Sequence, residues 1–236
     1  MATPQSLNTP VTLVSVIVPV HDDDARLRQL LPQLLSQPHV GEVIVSASAE
    51  SDALVALCDA PNIVLTHSAR GRGLQLNHGA SLAQHAVLWF VHADAQVPAQ
   101  AARYICNRVD AGDVGGWFAF GFHNAPSPAA NRFAALINWR ARHGVAYGDQ
   151  GLFFRREAFV RFGGFEPVAL FEEVRLFKTA KAAGRFHASH LTIGVDARRW
   201  QSSGWIRRTL SNRALALCHA LGIAPDTLAH WYAKHR

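Results

Sequence analysis

The sequence predicts an α/β protein, a mostly parallel sheet flanked by helices, with further helices at the C-terminal end. Three observations carry that reading. Short apolar runs at residues 13–20 (LVSVIVPV), 42–45 (EVIV), 62–66 (NIVLT) and 87–91 (VLWFV) read as strands. Between them lie segments whose leucines and alanines recur at helical spacing, and a strand–helix alternation argues for right-handed crossovers. The run 87–91 has no polar alternation, as expected of a strand covered on both faces.

The first strand ends at Pro19 and is followed by His21-Asp22-Asp23-Asp24, then Leu27, Leu30, Leu31, Leu34 and Leu35 on a helix. Acids at that helix start suit the macrodipole, which is reason enough for at least two of the three. A short polar helix is expected from about 51 to 58. Arg70-Gly71-Arg72-Gly73 then opens a helix carrying Leu74, Leu76, Ala80 and Ala83. Glycines there let a backbone approach a ligand, the helix start favours anions, and the two arginines add forked phosphate donors. A solvated basic turn is the competing reading.

His92-Ala93-Asp94 follows the fourth strand. In open α/β sheets ligands lie just beyond the carboxyl ends of strands. Asp94 offers a hard oxygen ligand for Mg²⁺ or Mn²⁺, with His92 beside it, and a nucleotide diphosphate would complete the shell. Taken alone, Asp94 serves equally well as a cap for the helix starting near Pro98.

The chain has 236 residues, 49% of them hydrophobic and 17% charged, an ordinary globular composition. Cys58, Cys106 and Cys218 are widely spaced, indicating neither a zinc knuckle nor a disulfide framework, and a reducing cytoplasmic setting is expected. The first ten residues lack the basic-then-apolar order of a signal peptide, and no apolar run approaches bilayer length. The formal charge of +6 resides in residues 198–236, with seven Lys/Arg and one acid. Such a tail suits phosphate-bearing ligands, an anionic membrane surface or nucleic acid. Nucleic acid is disfavoured, because the aromatics are not interleaved with basic residues on a strand platform.

The run ARGRGLQLNHGASLAQHAVLWFVHADA resembles glycosyltransferase family 2, whose fold is of the GT-A type, a Rossmann-like mostly parallel sheet. Within it the closest likeness is to a bacterial subfamily associated with arsenosugar biosynthesis. Gly71, Arg72, Gln75, Asn77, Gly79, Ala80, His92, Ala93 and Asp94 meet that subfamily's pattern. The resemblance continues through Gly115-Gly116-Trp117-Phe118, residues 146–150 (AYGDQ), 152–154, Gly163-Gly164-Phe165, Phe171-Glu172-Glu173 and Asp196-Ala197-Arg198-Arg199-Trp200.

The resemblance implies one GT-A-like domain over 1–236, with a nucleotide-binding half at about 13–96 and an acceptor half with C-terminal helices at about 97–236. It implies that Asp94 and His92 stand in for the DxD motif that holds a divalent metal. Arg70, Arg72, Gln75, Asn77, Asp149, Gln150, Arg199 and Trp200 would bind the nucleotide-diphosphate sugar donor. Glu173 would be the catalytic base, with Glu172 beside it. Where the family usually carries an aspartate against the nucleobase, this chain has Ala47.

The expected activity is inverting, metal-dependent transfer of a sugar to a small-molecule or lipid acceptor, in the cytoplasm or peripherally at the inner membrane face. The alternatives are an inactive nucleotide-sugar-binding protein, as Ala47 permits, and a GT-A-like nucleotidyltransferase. The latter usually carries its Gly/Arg-rich loop directly after the first strand.

Overall fold

A computed structural model describes residues 11–234; the side chains of Arg199, Ala233 and Lys234 lie outside that description, as do the polar opening at 1–10 and the last two residues. The described chain is built on one seven-stranded sheet. Its strands are β1 (Val14–Val20), β2 (Val40–Ala47), β3 (Ile63–His67), β4 (Val87–Phe90), β5 (Gly115–Phe122), β6 (Phe153–Arg155) and β7 (Phe186–Val195), in the order β3-β2-β1-β4-β6-β5-β7. Only β6 runs antiparallel to its neighbours.

The helices α1 (Asp24–Leu35), α2 (Asp52–Cys58), α3 (Arg72–Leu82) and α4 (Ala101–Asp110) connect the first strands. Then come α5 (Pro128–His143), α6 (Arg156–Arg161), α7 (Val174–Ala182), α8 (Arg198–Ser203), α9 (Trp205–Ala220) and α10 (Pro225–Lys234). This is the α/β class expected, with helices closing the chain.

Alternation along β1 divides the interior into two cores. Val14, Val16, Val18 and Val20 face one side with Leu27, Leu30 and Trp89, whereas Ile17 joins Ile44, Leu88 and Phe90 on the other. α3 lies against the second face so closely that a Cβ on Gly79 would come within 2.6 Å of the Ile17 methyl. The chain moves outward from β1 through β2 to β3, then returns to the other side of β1 with β4. That reversal leaves a crevice beyond the carboxyl ends of β1 and β4, where side chains of two loops meet and no crossover covers them.

Candidate active site

The crevice at that switch point has a volume of about 960 Å³. Asp94, four residues past β4, lines it together with His92, and the HAD element therefore lies where a strand-end ligand would sit. Arg70, just before α3, and Arg72, its first residue, also line the crevice, and Gly71 between them takes φ 146° to turn the chain inward. The Gly73 backbone packs under the 166–172 loop: a Cβ there would lie 2.3 Å from the Glu166 carbonyl and 3.2 Å from the Glu172 Cβ. This glycine lets the protein's own loop approach the helix, a different use from the ligand approach read from the sequence.

Glu172 and Glu173, just before α7, are both buried and both line the crevice. Their environments differ. Glu172 pairs with Arg72 at 3.2 Å. Desolvation works against the Arg72 charge, but Glu172, Glu173 and Asp149 outweigh it and hold the guanidinium above its ordinary pKa. Glu173 accepts the Gly148 amide at 3.2 Å through Oε1, while its buried Oε2 has no hydrogen-bond partner. Burial, and next the charge of Glu172, push the Glu173 carboxyl up to about 8. Phe171 is held at φ 65°, an unusual conformation for an aromatic residue, with its ring 4.6 Å from His219 of α9 and 5.8 Å from Tyr147. The carboxylate pair is thus seated between α3 and the C-terminal helices.

Asp149 also faces the crevice, on the 3-10 turn Gly148–Gln150. Its Oδ1 is buried without a hydrogen-bond partner, and burial raises its pKa, with the Asp94 charge adding to the shift.

The remaining sequence candidates divide. Gln75 borders the crevice, but its amide donates to the carbonyls of Val20 and Ser46 at 2.8 Å each and so ties α3 to β1 and β2. Asn77 does not line the crevice; its amide donates to the Phe165 carbonyl and accepts the Phe165 amide, pinning the Gly163-Gly164 turn to α3. Gln150 is buried below the floor, donating to the Phe118 carbonyl. Trp200 reaches the crevice edge while packing on Phe120 and Phe122. The Arg199 side chain is among those outside the description. Ala47 is buried in the core beside β1. The wall near it is formed by His21 and Asp22, the latter at φ 54°.

Sequence reasoning gave no ligand role to Arg140, Tyr147, Arg208 or Arg213, all of which line the crevice, although Tyr147 stands in the AYGDQ run and Arg208 on the helices expected to cover the acceptor side. Arg140 lies over the Tyr147 ring at 4.2 Å. Each is one basic or aromatic residue among many, and no local pattern separates those that turn inward.

A model of Glycosyl transferase family 2 matches residues 15–162, well over half of the chain. The chain belongs to glycosyl transferase family 2. The match ends before Glu172 and Glu173, so the acid pair and α7–α10 lie beyond it.

Solved structures share the fold. A mannosyltransferase from Pyrobaculum calidifontis, in complex with GDP-Man and Mn²⁺, is 22% identical over 94% of this chain and 69% of its own, with a TM-score of 0.60. TarS 1-349 of S. aureus is 16% identical over 79% of this chain, TM-score 0.60, and the present chain spans only 61% of its length. Glucosyl-3-phosphoglycerate synthase of Mycobacterium tuberculosis is 15% identical over 78% of this chain and 71% of its own, TM-score 0.58. At these identities the likeness is one of fold, the mixed sheet of GT-A enzymes. No curated protein sequence matches the chain.

Proposed function

We propose that this family 2 member is an inverting glycosyltransferase, moving a sugar from a nucleotide-diphosphate donor to an acceptor hydroxyl. One observation carries the reading: Glu173 Oε2, buried and without a hydrogen-bond partner, belongs to a residue that faces the same crevice as Asp94 and Asp149. In a single displacement the acceptor oxygen bonds to the anomeric carbon as the bond to the diphosphate breaks. The hydroxyl proton passes to Glu173, whose raised pKa suits it to receive one near neutral pH. Glu172, already paired, holds Arg72 in place. The free edge of Arg72, with Arg70 at the mouth, can donate to the departing diphosphate.

The donor set fits a divalent cation. Asp94 and Asp149 bring hard carboxylate oxygens to one crevice, and Asp149 Oδ1 is a buried acceptor that nothing in the protein satisfies. Among the described residues no group of three or more His, Cys, Asp or Glu is assembled as a metal cage, so the ligand's own oxygens would have to complete the shell. A bound Mn²⁺ or Mg²⁺ would neutralise charge developing on the diphosphate. The neighbour holding GDP-Man and Mn²⁺ supports this choice of cation.

The motif run through His92-Ala93-Asp94 supports placement beside the arsenosugar-associated subfamily. Ala47 favours the rival reading of an inactive nucleotide-sugar-binding protein, since a base-contacting carboxylate is lacking there. A thermal-shift panel of nucleoside diphosphates and nucleotide sugars, with and without Mn²⁺, tests the proposal. Stabilisation by one diphosphate only when the metal is present supports it; stabilisation by none of them, or by nucleic acid alone, overturns it.

Action at a membrane surface, with a lipid acceptor, is a further part of the proposal. Ile206, Leu210, Leu217 and Leu221 recur at helical spacing on α9 and the turn after it, each more than three-fifths exposed, with Arg207 exposed beside them. Among the described residues no helix is long and apolar enough to cross a membrane.

A further inference from the structure

The wall of the crevice made by α5 and α9 differs in charge from the floor. Arg140, Arg208 and Arg213 all line it, and α9 contains no acidic residue. Arg208 is only 6% exposed, its guanidinium 4.8 Å over the Tyr232 ring and bonded to the Tyr232 hydroxyl, yet its buried Nε has no hydrogen-bond partner. Arg140 Nε is likewise buried and unpartnered. No ion pair among the described residues reaches any of the three.

Elsewhere the chain pairs its buried charges. Asp113, 1% exposed, receives both Arg108 at 2.6 Å and Arg185 at 3.1 Å, and Glu172 receives Arg72. Of the crevice carboxylates, Asp23 pairs with Arg26, and Asp196 with Arg198 and Asn124, while Asp149 and Glu173 act on Arg140 through their charge without forming an ion pair with it. A guanidinium withdrawn from water without a counter-charge is costly, and a site tolerates it where a ligand supplies the charge. Burial lowers the Arg140 pKa although Tyr147, Asp149 and Glu173 favour its charge, and Arg213 adds to the lowering, so an anion placed between the two arginines would relieve their mutual repulsion.

We infer that the acceptor carries an anionic group, a phosphate or a carboxylate, which Arg140, Arg208 and Arg213 bind on the α5–α9 wall of the crevice. The inference rests on the transferase reading and names the chemistry of its second substrate. All three residues come from the half of the chain after residue 97, whereas Arg70, Arg72 and Asp94, which the proposal gives to the donor, come from the first half. A planar guanidinium suits an oxyanion bidentately, and with Tyr147 and Asn212 nearby the anion would anchor a molecule whose hydroxyl reaches Glu173. The same chemistry is offered by a soluble phosphate ester and by a phospholipid headgroup.

Calorimetric titration with glycerol 3-phosphate, and with glycerol as the neutral control, tests it on the full chain. GDP and UDP with Mn²⁺ are titrated in parallel. The wild type should bind glycerol 3-phosphate and not glycerol. Arg213→Gln and Arg208→Gln should each weaken that binding at least about tenfold while leaving nucleoside diphosphate affinity within about threefold. Circular dichroism checks folding, and if Arg208→Gln fails to fold, the less buried Arg213→Gln decides. Equal binding of glycerol, no effect of Arg213→Gln, or an equal loss of nucleoside diphosphate binding in that variant overturns the inference. Failure of the transferase reading looks different: no nucleoside diphosphate binds wild type, whatever glycerol 3-phosphate does. Pelleting with phosphatidylglycerol vesicles but not phosphatidylcholine, lost in Arg213→Gln, identifies a lipid headgroup; soluble-probe binding without pelleting identifies a soluble acceptor.

Discussion

Arg72 and Glu172, 100 residues apart in the chain, meet at 3.2 Å. The contact gives two adjacent carboxylates different surroundings. Glu172 is occupied by a cation, whereas Glu173 has one oxygen on the Gly148 amide and the other unpartnered, which is why the proposed mechanism gives the proton to Glu173.

Glu173→Gln keeps the size of the side chain and should retain donor and metal affinity while turnover falls ~10²–10⁴-fold. Glu172→Gln should lose less, acting through the position of Arg72. Product formation by both variants, once a donor is found, checks the order; a deeper loss in Glu172→Gln would reverse the assignment.

The Glu173 pKa of about 8 also sets a stability profile. An unfolded glutamate ionises near 4.5, so between roughly pH 4.5 and 8 the unfolded state has released a proton that the folded state keeps. This group's contribution to stability therefore falls as pH rises through that window, and the penalty is complete above it. Glu173→Gln should melt higher than wild type at pH 8 and converge with it near pH 4.5. In the wild type kcat/KM should rise with pH towards a plateau above about 8. Melting curves that stay parallel across the range would contradict the buried-acid assignment.

Asp94→Ala should abolish Mn²⁺-dependent nucleotide binding and leave a cooperative melt, because Asp94 lies past the end of β4 and outside the two main cores. Unchanged metal-dependent binding in the titration would make the HAD element structural.

Gly73→Ala places a methyl 2.3 Å from the Glu166 carbonyl oxygen. The clash should cost about 1–3 kcal/mol, against a helix-propensity gain of about 1 kcal/mol. Because the displaced loop carries Glu172, activity should fall further than the melting shift accounts for. Denaturant titration and turnover of the same preparation separate the two effects.

Leu210→Ser with Leu217→Ser removes half of the α9 apolar stripe without touching a buried residue. Co-pelleting with anionic liposomes at low salt should drop sharply in the double variant and persist in Arg213→Gln if the stripe alone anchors the protein. Absence of wild-type pelleting removes the membrane proposal.

Much of the framework is legible in the residues alone. Alternating apolar runs and leucine spacing locate β1, α1, β2, α2, β3, α3 and β4 to within a few residues, and the HAD element reads as a strand end. These features are local: a strand or helix writes its period into contiguous residues, and a β-branched run has few other ways to bury itself. Asn77 and Gln75 mark the limit of that reading. Both sit in the motif run, yet one amide holds the Phe165 turn and the other bridges two strand ends, a use set by residues as many as 88 positions distant.

By itself the sequence determined the α/β class, the order of the first four strands and helices, and the position of Asp94 beyond a strand. Tertiary structure alone decided that Arg72 takes Glu172 and leaves Glu173, that Gly73 receives a loop, and that Arg208 turns inward while Arg207 stays in water. Periodicity encodes which face of an element is buried. Charge pairing is fixed by which elements the fold brings together, and neighbouring arginines on one helix point about 100° apart, so only packing selects between them.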